Sequence, residues 1–433
     1  MDKGNVKKLY GVDLPVFVFF AVIVLVSAYL EIIPNQLIGA VACMFTIGIL
    51  LGELGERIPI WNTYCGGGAI LVFLVCGLMS HFGVLPECVV KNATGWMNEY
   101  SFLNLFISFL IVGSLLGLDR KLLIKSSALY LPAIIAGVIG SIIFGALGGI
   151  LFGKDPVQVV MAYVLPIMGG GAGAGAIPMA QVYADVTRED PAGYLSFALA
   201  ILAVGNIVSV AFAAILQTVG ILVPKLSGNG ELVRNAAKKV ETEKKETVNV
   251  TMDDLGAGIF LTGGFFILAQ LFAKKILPSV AGVSIPNFAY LIIFAALANV
   301  FNLIPEHLKA GAQKCQQFCA NKLVWIQMVG VGIVMINFSE MLEVLSVANL
   351  VIVILIVLGA VLGSAIFGWF VGFFPIESAI TAGLCMANMG GAGDLAVLGA
   401  AKRMNLISYA QISSRIGGAM ILLLSSIVFS IFA

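Results

Sequence analysis

The sequence predicts an all-α polytopic membrane protein with about eleven transmembrane helices and two re-entrant hairpins in two inverted repeats. Three observations lead to this fold class. The 433 residues are 60% hydrophobic and 11% charged, with a mean hydropathy of +1.05, whereas soluble domains carry about 25% charged residues. Apolar runs of roughly 20 residues, enough for a helix to cross a bilayer, recur along the chain. Two further apolar segments are interrupted by glycines at corresponding places in the two halves.

The predicted spans begin with an N-terminal one within residues 1–33. The apolar run that follows the polar N-terminus has no small-residue cleavage pattern, so we expect a retained span rather than a signal peptide. Five spans follow in each half of the chain. The eleven runs are 14–33, 37–54, 67–82, 102–118, 130–152, 194–223, 255–273, 288–304, 323–338, 347–373 and 407–432.

The two interrupted segments, 157–183 and 375–400, contain the matched GGAG runs Gly170 to Gly173 and Gly390 to Gly393. A broken helix exposes backbone groups, which a membrane tolerates only where protein or a watery cavity satisfies them. We therefore expect two re-entrant hairpins, whose tips offer N–H groups to an anion and carbonyls to a cation. Close packing of helices is the alternative explanation for the glycines.

The Lys and Arg residues favour a cytoplasmic N-terminus, because more of them fall on the inside segments of that topology. Residues 224–254 hold 12 of the 47 charges, six of each sign. We expect this stretch to be a solvated cytoplasmic linker without chemistry of its own. It separates a first repeat at 34–223 from a second at 255–433.

The two halves share a sequence pattern. GVIGSIIFG at 137–145 and AVLGSAIFG at 360–368 each precede a Pro-flanked apolar stretch and then GGAG. Five spans and one hairpin separate the copies, so the second copy enters the membrane from the opposite face. Inverted repeats are typical of secondary transporters, whose sites lie near the midplane at glycine-interrupted segments. We expect the two hairpin tips to meet there.

Arg415 is the one charge in the last predicted span. It lies twelve residues beyond Arg403, so a straight helix would put it about 18 Å deep. Such an arginine must face the protein interior or a cavity, and its planar guanidinium suits a carboxylate. We expect it to bind a carboxylate substrate. The alternative is an internal salt bridge to Asp394 or Glu377.

Other function classes fit less well. No basic block offers a nucleic-acid footprint, and no Ser/His, paired-Asp or HExxH arrangement on the spans indicates an enzyme. Broken helices also line channels, but the repeats, the single deep arginine and the absence of charged rings favour a carrier. Coupling to Na⁺ would use oxygen ligands near Asn388, whereas a proton-coupled carrier would use Asp394.

Three stretches resemble the bacterial 2-hydroxycarboxylate transporter family, whose best known members are sodium–citrate symporters. They are LPIMGGGAGAGAIP at 165–178, FPIESAITAGLCMANMGGAGD at 374–394 and RMNLISYAQISSRIGG at 403–418. The similarity covers nearly the whole chain, including SGNGELVR at 227–234. It implies a homodimer in the lipid of the bacterial inner membrane. Each protomer would have a scaffold domain and a mobile transport domain that carries both hairpins in an elevator motion.

The resemblance also implies the site residues, with Na⁺ as coupling ion and no other cofactor. The substrate anion would contact Ala172, Gly173, Met389, Gly391, Ala392, Ser414 and Arg415. Sodium would be held at Ile167, Gly170, Ala172, Met386, Asn388, Ala392 and Ser414.

Three of these positions depart from the citrate symporters, which have Asn, Arg and Ser where this chain has Ala172, Met389 and Ala392. Losing a charge-assisted contact costs about 1.5 to 3 kcal/mol, or tenfold or more in preference. We therefore expect sodium-coupled malate symport in preference to citrate. Proton coupling, and exchange of malate or citrate with lactate, are alternatives.

Overall fold

The computed structural model describes residues 8–64, 67–118, 120–234, 250–280, 283–284, 287–335, 344 and 346–432, and most of them are helical. The α-helices are Leu14–Tyr29, Leu37–Arg57, Pro59–Tyr64, Gly67–His81, Glu87–Thr94, Phe102–Leu116, Arg120–Leu151, Pro156–Val159, Leu165–Met168, Ile177–Thr187, Pro191–Leu222, Met252–Leu271, Asn287–Val300, Glu306–Phe318, Val324–Met335, Val347–Val371, Pro375–Ser378, Ala392–Ala400, Ile407–Ile412 and Gly418–Phe432.

Wider π-helical turns extend or join several of these helices, at Gly95–Glu99, Val160–Val164, Ala172–Ala176, Phe272–Ile276, Cys319–Leu323, Ala379–Leu384 and Ser413–Gly417. Short 3₁₀ turns occur at Pro224–Leu226 and Met404–Leu406. The strands are two antiparallel pairs of two residues each, Lys8–Leu9 with Val12–Asp13 and Ser279–Val280 with Val283–Ser284.

Every predicted span overlaps a helix, but fewer than eleven of these helices are long enough to cross a membrane alone. In the described residues, seven helical stretches have the length and apolar character required, namely Leu37–Arg57, Tyr130–Leu151, Pro191–Leu222, Met252–Ile276, Glu306–Met335, Val347–Val371 and Tyr409–Phe432. Glu87–Glu99 and Phe102–Leu116, bent by 53°, make an eighth if they act together. The spans predicted at 14–33, 67–82 and 288–304 correspond to helices of 16, 15 and 14 residues. These are shorter than the roughly 20 residues of a regular crossing.

The structure breaks both interrupted segments at their glycines. We keep the predicted name hairpin 1 for the first segment, which has the helical arms Pro156–Met168 and 172–187, separated at Gly169 to Gly171, and the name hairpin 2 for the second. Hairpin 2 has the arms 375–384 and 392–400, separated at residues 385–391. Each hairpin begins with a proline at the first helical position, where its missing N–H has no helical partner to lose.

The chain divides into two compact units. The first comprises Met1–Phe106 and Ala320–Ile336. Its helices Leu37–Arg57 and Val324–Met335 pack closely at glycines, since a Cβ atom added at Gly52 would lie 2.2 Å from the ring of Trp325.

The second unit comprises Ile107–Cys319 and Asn337–Ala433 and contains both hairpins. At its centre the matched segments 137–145 and 360–368 lie on helices that pack against each other. A Cβ at Gly140 would lie 2.1 Å from the carbonyl oxygen of Gly359, and one at Gly363 would lie 2.1 Å from that of Ala136. Gly140 aligns with Gly363, and Ala136 with Gly359. The two contacts are therefore reciprocal.

The first part of the predicted linker packs in part against the start of hairpin 2: Ser227 and Leu232 are buried, whereas the charged residues Lys225, Glu231 and Arg234 are exposed. The N–H of Phe374 donates to the carbonyl of Leu232 at 2.9 Å, and that of Arg234 donates to the carbonyl of Gly372 at 2.9 Å. The guanidinium of Arg234 lies 3.7 Å from the ring centre of Trp369. We call residues 227–234 the strap. The part of the linker at 235–249 lies outside the described residues.

The strap surrounds a buried ion pair at the base of hairpin 2. Arg403 Nε donates to Glu377 Oε1 at 2.9 Å, and the two side chains are 4% and 0% exposed. The depth of about 18 Å predicted for Arg415 took Arg403 to lie at the membrane surface. Because Arg403 is buried, that starting point is wrong. A buried charge at this position is stable because backbone and side-chain donors replace the lost water.

Candidate functional site

The tips of the two hairpins meet, backbone against backbone. Gly170 and Gly171 have φ values of +81° and +112°, which residues with a side chain rarely adopt. A Cβ atom at Gly171 would lie 2.5 Å from the carbonyl oxygen of Met389, and one at Gly390 would lie 2.8 Å from that of Gly170. Only glycine allows this approach.

The last helix joins the two tips. A Cβ at Gly170 would lie 2.3 Å from the carbonyl oxygen of Ser414, and one at Gly418 would lie 2.8 Å from that of Gly169. Ser414 and Arg415 lie on the π-helical turn Ser413–Gly417 of this helix. The sequence expectation that the glycine runs and this helix converge thus agrees with the geometry.

A buried carboxylate organises the polar groups beside hairpin 2. Asp394 is 1% exposed and accepts hydrogen bonds from Asn388 Nδ2 at 3.1 Å and from Ser414 Oγ at 2.9 Å. Asn388 Oδ1 accepts from the N–H of Gly390 at 2.6 Å, and Ser414 Oγ also contacts the carbonyl of Ala410 at 3.0 Å. Two predicted sodium residues, Asn388 and Ser414, therefore share one acidic partner.

Arg415 is half-buried and makes no ion pair within 4.0 Å to any described residue. Of the two alternative partners, Glu377 is paired with Arg403 instead. Asp394 is close enough to interact with Arg415 electrostatically, but its carboxylate accepts hydrogen bonds from Asn388 and Ser414. The internal salt bridge does not form in this structure, which leaves the guanidinium available to an anion.

The other predicted substrate residues lie at the same tips. Met389 and Gly391 belong to the break in hairpin 2, and Ala392 begins its second arm. Ala172 and Gly173 begin the second arm of hairpin 1, and a Cβ at Gly173 would meet only Leu110, at 3.6 Å. Gly173 therefore has open space beside it.

The side chains of the predicted sodium residues Ile167 and Met386 are enclosed by their neighbours. Both are fully buried. The Ile167 side chain would be 3.2 Å from a Cβ at Gly205, and Met386 Sδ would be 2.1 Å from one at Gly417. These side chains therefore pack against helices, and only the carbonyls could bind an ion.

Sequence reasoning missed two residues that hold hairpin 2 in position. Asn206, on Pro191–Leu222, accepts at Oδ1 from the N–H of Met389 at 3.2 Å. Ser209 Oγ donates to the carbonyl of Ala387 at 2.6 Å. An asparagine inside a long apolar helix was the available clue, because polar residues in membrane helices are usually satisfied by other helices.

Comparison with known proteins identifies the chain's relatives. It is 47% identical to the citrate/sodium symporter of Klebsiella pneumoniae over 422 residues, covering 98% of this chain and 94% of that protein. It is 32% identical to the Na⁺-malate symporter of Bacillus subtilis, covering 94% and 89%, and 31% identical to the citrate transporter CitP of Lactococcus lactis, covering 97% and 93%. These relatives are transporters, not enzymes. Residues 9–427 match the sequence model of the 2-hydroxycarboxylate transporter family, and the chain belongs to that family.

Proposed function

We propose that this protein is a sodium-coupled symporter of small 2-hydroxycarboxylates. Its family and its seven or more apolar helices make it a multi-pass protein of the bacterial inner membrane. The observation that carries the proposal is Arg415, a half-buried cation without an ion pair among the described residues, beside two glycine tips. A half-buried charge without an ion pair is more stable when a ligand of opposite charge binds to it.

The chemistry of the tips suits a carboxylate with an adjacent hydroxyl group. The Arg415 guanidinium would bind the carboxylate through two parallel hydrogen bonds. Ser414 and the backbone N–H groups near Gly173 and Gly391 would contact the remaining oxygens. Ala172, Met389 and Ala392 would line the same site. Every substrate of such a site would share the carboxylate and hydroxyl pair that Arg415 and Ser414 recognise.

The sodium proposal rests on oxygen donors beside Asp394. Its carboxylate is buried with the side chains of Asn388 and Ser414, which supports a hard cation that takes carbonyl, amide and hydroxyl oxygens. The carbonyls of Ile167 and Met386, with those of Gly170, Ala172 and Ala392, would supply further oxygen ligands. The relatives named above as sodium symporters support the same ion. Proton coupling is the alternative, with Asp394 as the group that carries the proton.

The proposed substrate is malate, or another 2-hydroxycarboxylate smaller than citrate. Met389 lies at the tip of hairpin 2 where a second arginine would pair a further carboxylate of citrate. The loss of such a pair would cost about tenfold or more in preference. Citrate is the second candidate, because this chain is more similar to a citrate/sodium symporter, at 47% identity, than to a Na⁺-malate symporter, at 32%.

The proposed transport cycle is an elevator motion within a homodimer. Both hairpins lie in one compact unit, which supports their moving together. The reciprocal contacts at Gly140 and Gly363 support an inverted repeat at the centre of that unit.

Exchange of malate or citrate with lactate would use the same site. An anion channel would need a continuous pore instead.

Uptake into liposomes tests the proposal. The purified protein would be reconstituted, and entry of labelled malate, citrate and lactate measured with and without an inward Na⁺ gradient. We expect malate uptake that requires Na⁺ and exceeds citrate uptake. Strong preference for citrate would overturn the malate proposal, and uptake driven equally well by a proton gradient without Na⁺ would overturn sodium coupling. Electrical currents that do not saturate with substrate would indicate a channel.

A further inference from the structure

Side-chain hydroxyls donate hydrogen bonds to carbonyls that immediately precede the π-helical turn carrying Ser414 and Arg415. The N–H of Ser413 is shared between the carbonyls of Tyr409 and Ala410. Each of these carbonyl oxygens has two lone pairs and can accept a second hydrogen bond. Ser414 Oγ supplies one, to Ala410 at 3.0 Å, with its single hydrogen shared between this carbonyl and Asp394 Oδ2 at 2.9 Å. The hydroxyl of Tyr130 supplies the other, to Tyr409 at 3.3 Å.

Tyr130 is a buried residue that reaches this turn from a different helix. It lies on Arg120–Leu151 and is 1% exposed. Its hydroxyl is 2.7 Å from Ser413 Oγ. If Ser413 donates to Tyr130 and Tyr130 donates to Tyr409, each hydroxyl hydrogen is used once. The Tyr130 ring also lies 5.4 Å from that of Tyr409, at an angle of 59°.

The position of this contact gives it a consequence for substrate binding. Ser413 immediately precedes Ser414 and Arg415 in the same turn. π-helical turns occur often at functional sites, because they rotate the side chains that follow. A hydroxyl that fixes the first residue of the turn therefore fixes the direction of the guanidinium. Hydrogen-bonded supporting residues are what hold a binding group in its productive geometry.

We propose that Tyr130 is a positioning residue for substrate recognition, which orients Arg415 through its hydrogen bonds to Ser413 and Tyr409. This inference rests on the proposed function, since it requires Arg415 to bind the substrate. Tyr130 itself does not contact the substrate. Its hydroxyl sets how well the site distinguishes a 2-hydroxycarboxylate from the same acid without the hydroxyl group.

The test compares Tyr130→Phe, Ser413→Ala and the double variant in Na⁺-driven liposome uptake of malate. Each single change removes a hydroxyl and keeps the surrounding packing. We expect the apparent KM for malate to rise about threefold to tenfold in each, as for the loss of one hydrogen bond, with the maximal rate little changed. The double variant should have nearly the same KM as either single variant, because the two hydroxyls act as one unit. In these variants, inhibition of labelled malate uptake by unlabelled succinate, which lacks the hydroxyl, should weaken less than inhibition by unlabelled malate.

The matched control is Tyr163→Phe. Tyr163 is another buried tyrosine in the same compact unit, and its hydroxyl donates to Asn349 Oδ1 at 2.8 Å. The Tyr163→Phe variant should lose about as much thermal stability as Tyr130→Phe, without a change in the KM for malate or in the malate to succinate ratio. A Tyr130→Phe variant with an unchanged KM and ratio overturns the inference, as does a double variant whose effects simply multiply.

Arg415→Ala separates this inference from the proposed function. If Arg415→Ala abolishes uptake while Tyr130→Phe has no effect on KM, the positioning role alone is wrong. If Arg415→Ala transports normally, the proposed site is wrong, and an effect of Tyr130→Phe would then have another cause.

Discussion

The buried ion pair at the base of hairpin 2 gives a stability prediction that can be worked from the structure. Glu377 accepts four hydrogen bonds, from Arg403 Nε at 2.9 Å, Ser227 Oγ at 3.1 Å and the N–H groups of Gly228 at 2.8 Å and Gly230 at 3.2 Å. Its side chain is fully buried. Arg403→Met keeps an unbranched apolar stem but removes the only cation among these donors.

The expected loss is large because one charge remains in the interior. Breaking a buried pair by removing one partner costs about 3 to 5 kcal/mol of the free energy of unfolding. Glu377→Gln should cost a similar amount, since it leaves the guanidinium of Arg403 without its anion. The double variant should lose much less than the sum of the two, because neither charge is then buried alone.

Equilibrium unfolding of the purified protein in mixed detergents measures these free energies. The control is Arg57→Met, which removes an arginine that is 63% exposed and lies 3.4 Å from Glu53; exposed pairs contribute little. Single variants as stable as the unchanged protein would refute the reasoning. So would a double variant whose loss equals the sum of the single losses, because the two charges would then not be coupled.

Three further predictions concern transport by the reconstituted protein. Gly171→Ala puts a Cβ 2.5 Å from the carbonyl of Met389 at a φ of +112°, so uptake should fall about tenfold or more. The control Gly263→Ala, with no atom within 4 Å of the added Cβ, should transport normally. Full uptake by Gly171→Ala would contradict the close approach of the tips. Met389→Arg should raise the preference for citrate relative to malate about tenfold or more in competition assays, and an unchanged ratio would count against the proposed role of this position. Asp394→Asn should raise the Na⁺ concentration needed for half-maximal uptake, because it removes the carboxylate bonded to Asn388 and Ser414; an unchanged Na⁺ dependence would argue against sodium binding there.

The features that were predicted well from the sequence are those that depend on consecutive residues. Hydropathy located a helix at each of the eleven apolar runs. The glycine runs located the break at Gly169 to Gly171 and the end of the break at 385–391, because consecutive glycines cannot continue a helix at low cost. Length proved harder to judge. The run at 288–304 has loop residues at its end, and the helix there is only Asn287–Val300.

The features that sequence reasoning missed join residues far apart in the chain. The charges of the linker suggested a solvated segment, but Ser227 and the N–H of Gly228 bond to Glu377, which lies about 150 residues away. No local sequence pattern predicts such a contact. The same holds for Tyr130 and Ser413, which are ordinary polar residues of separate apolar helices, and for Asn206, whose partner is a backbone N–H at Met389.

The most direct test of the central claim, that Arg415 binds the substrate, is Na⁺-driven malate uptake by liposomes containing Arg415→Ala. The exposed Arg57→Ala variant serves as the control for loss of an arginine elsewhere. We predict that Arg415→Ala takes up no malate above background, although it elutes from size-exclusion chromatography as the same folded species as the unchanged protein. Uptake by a folded Arg415→Ala variant at the unchanged rate and KM would contradict the claim.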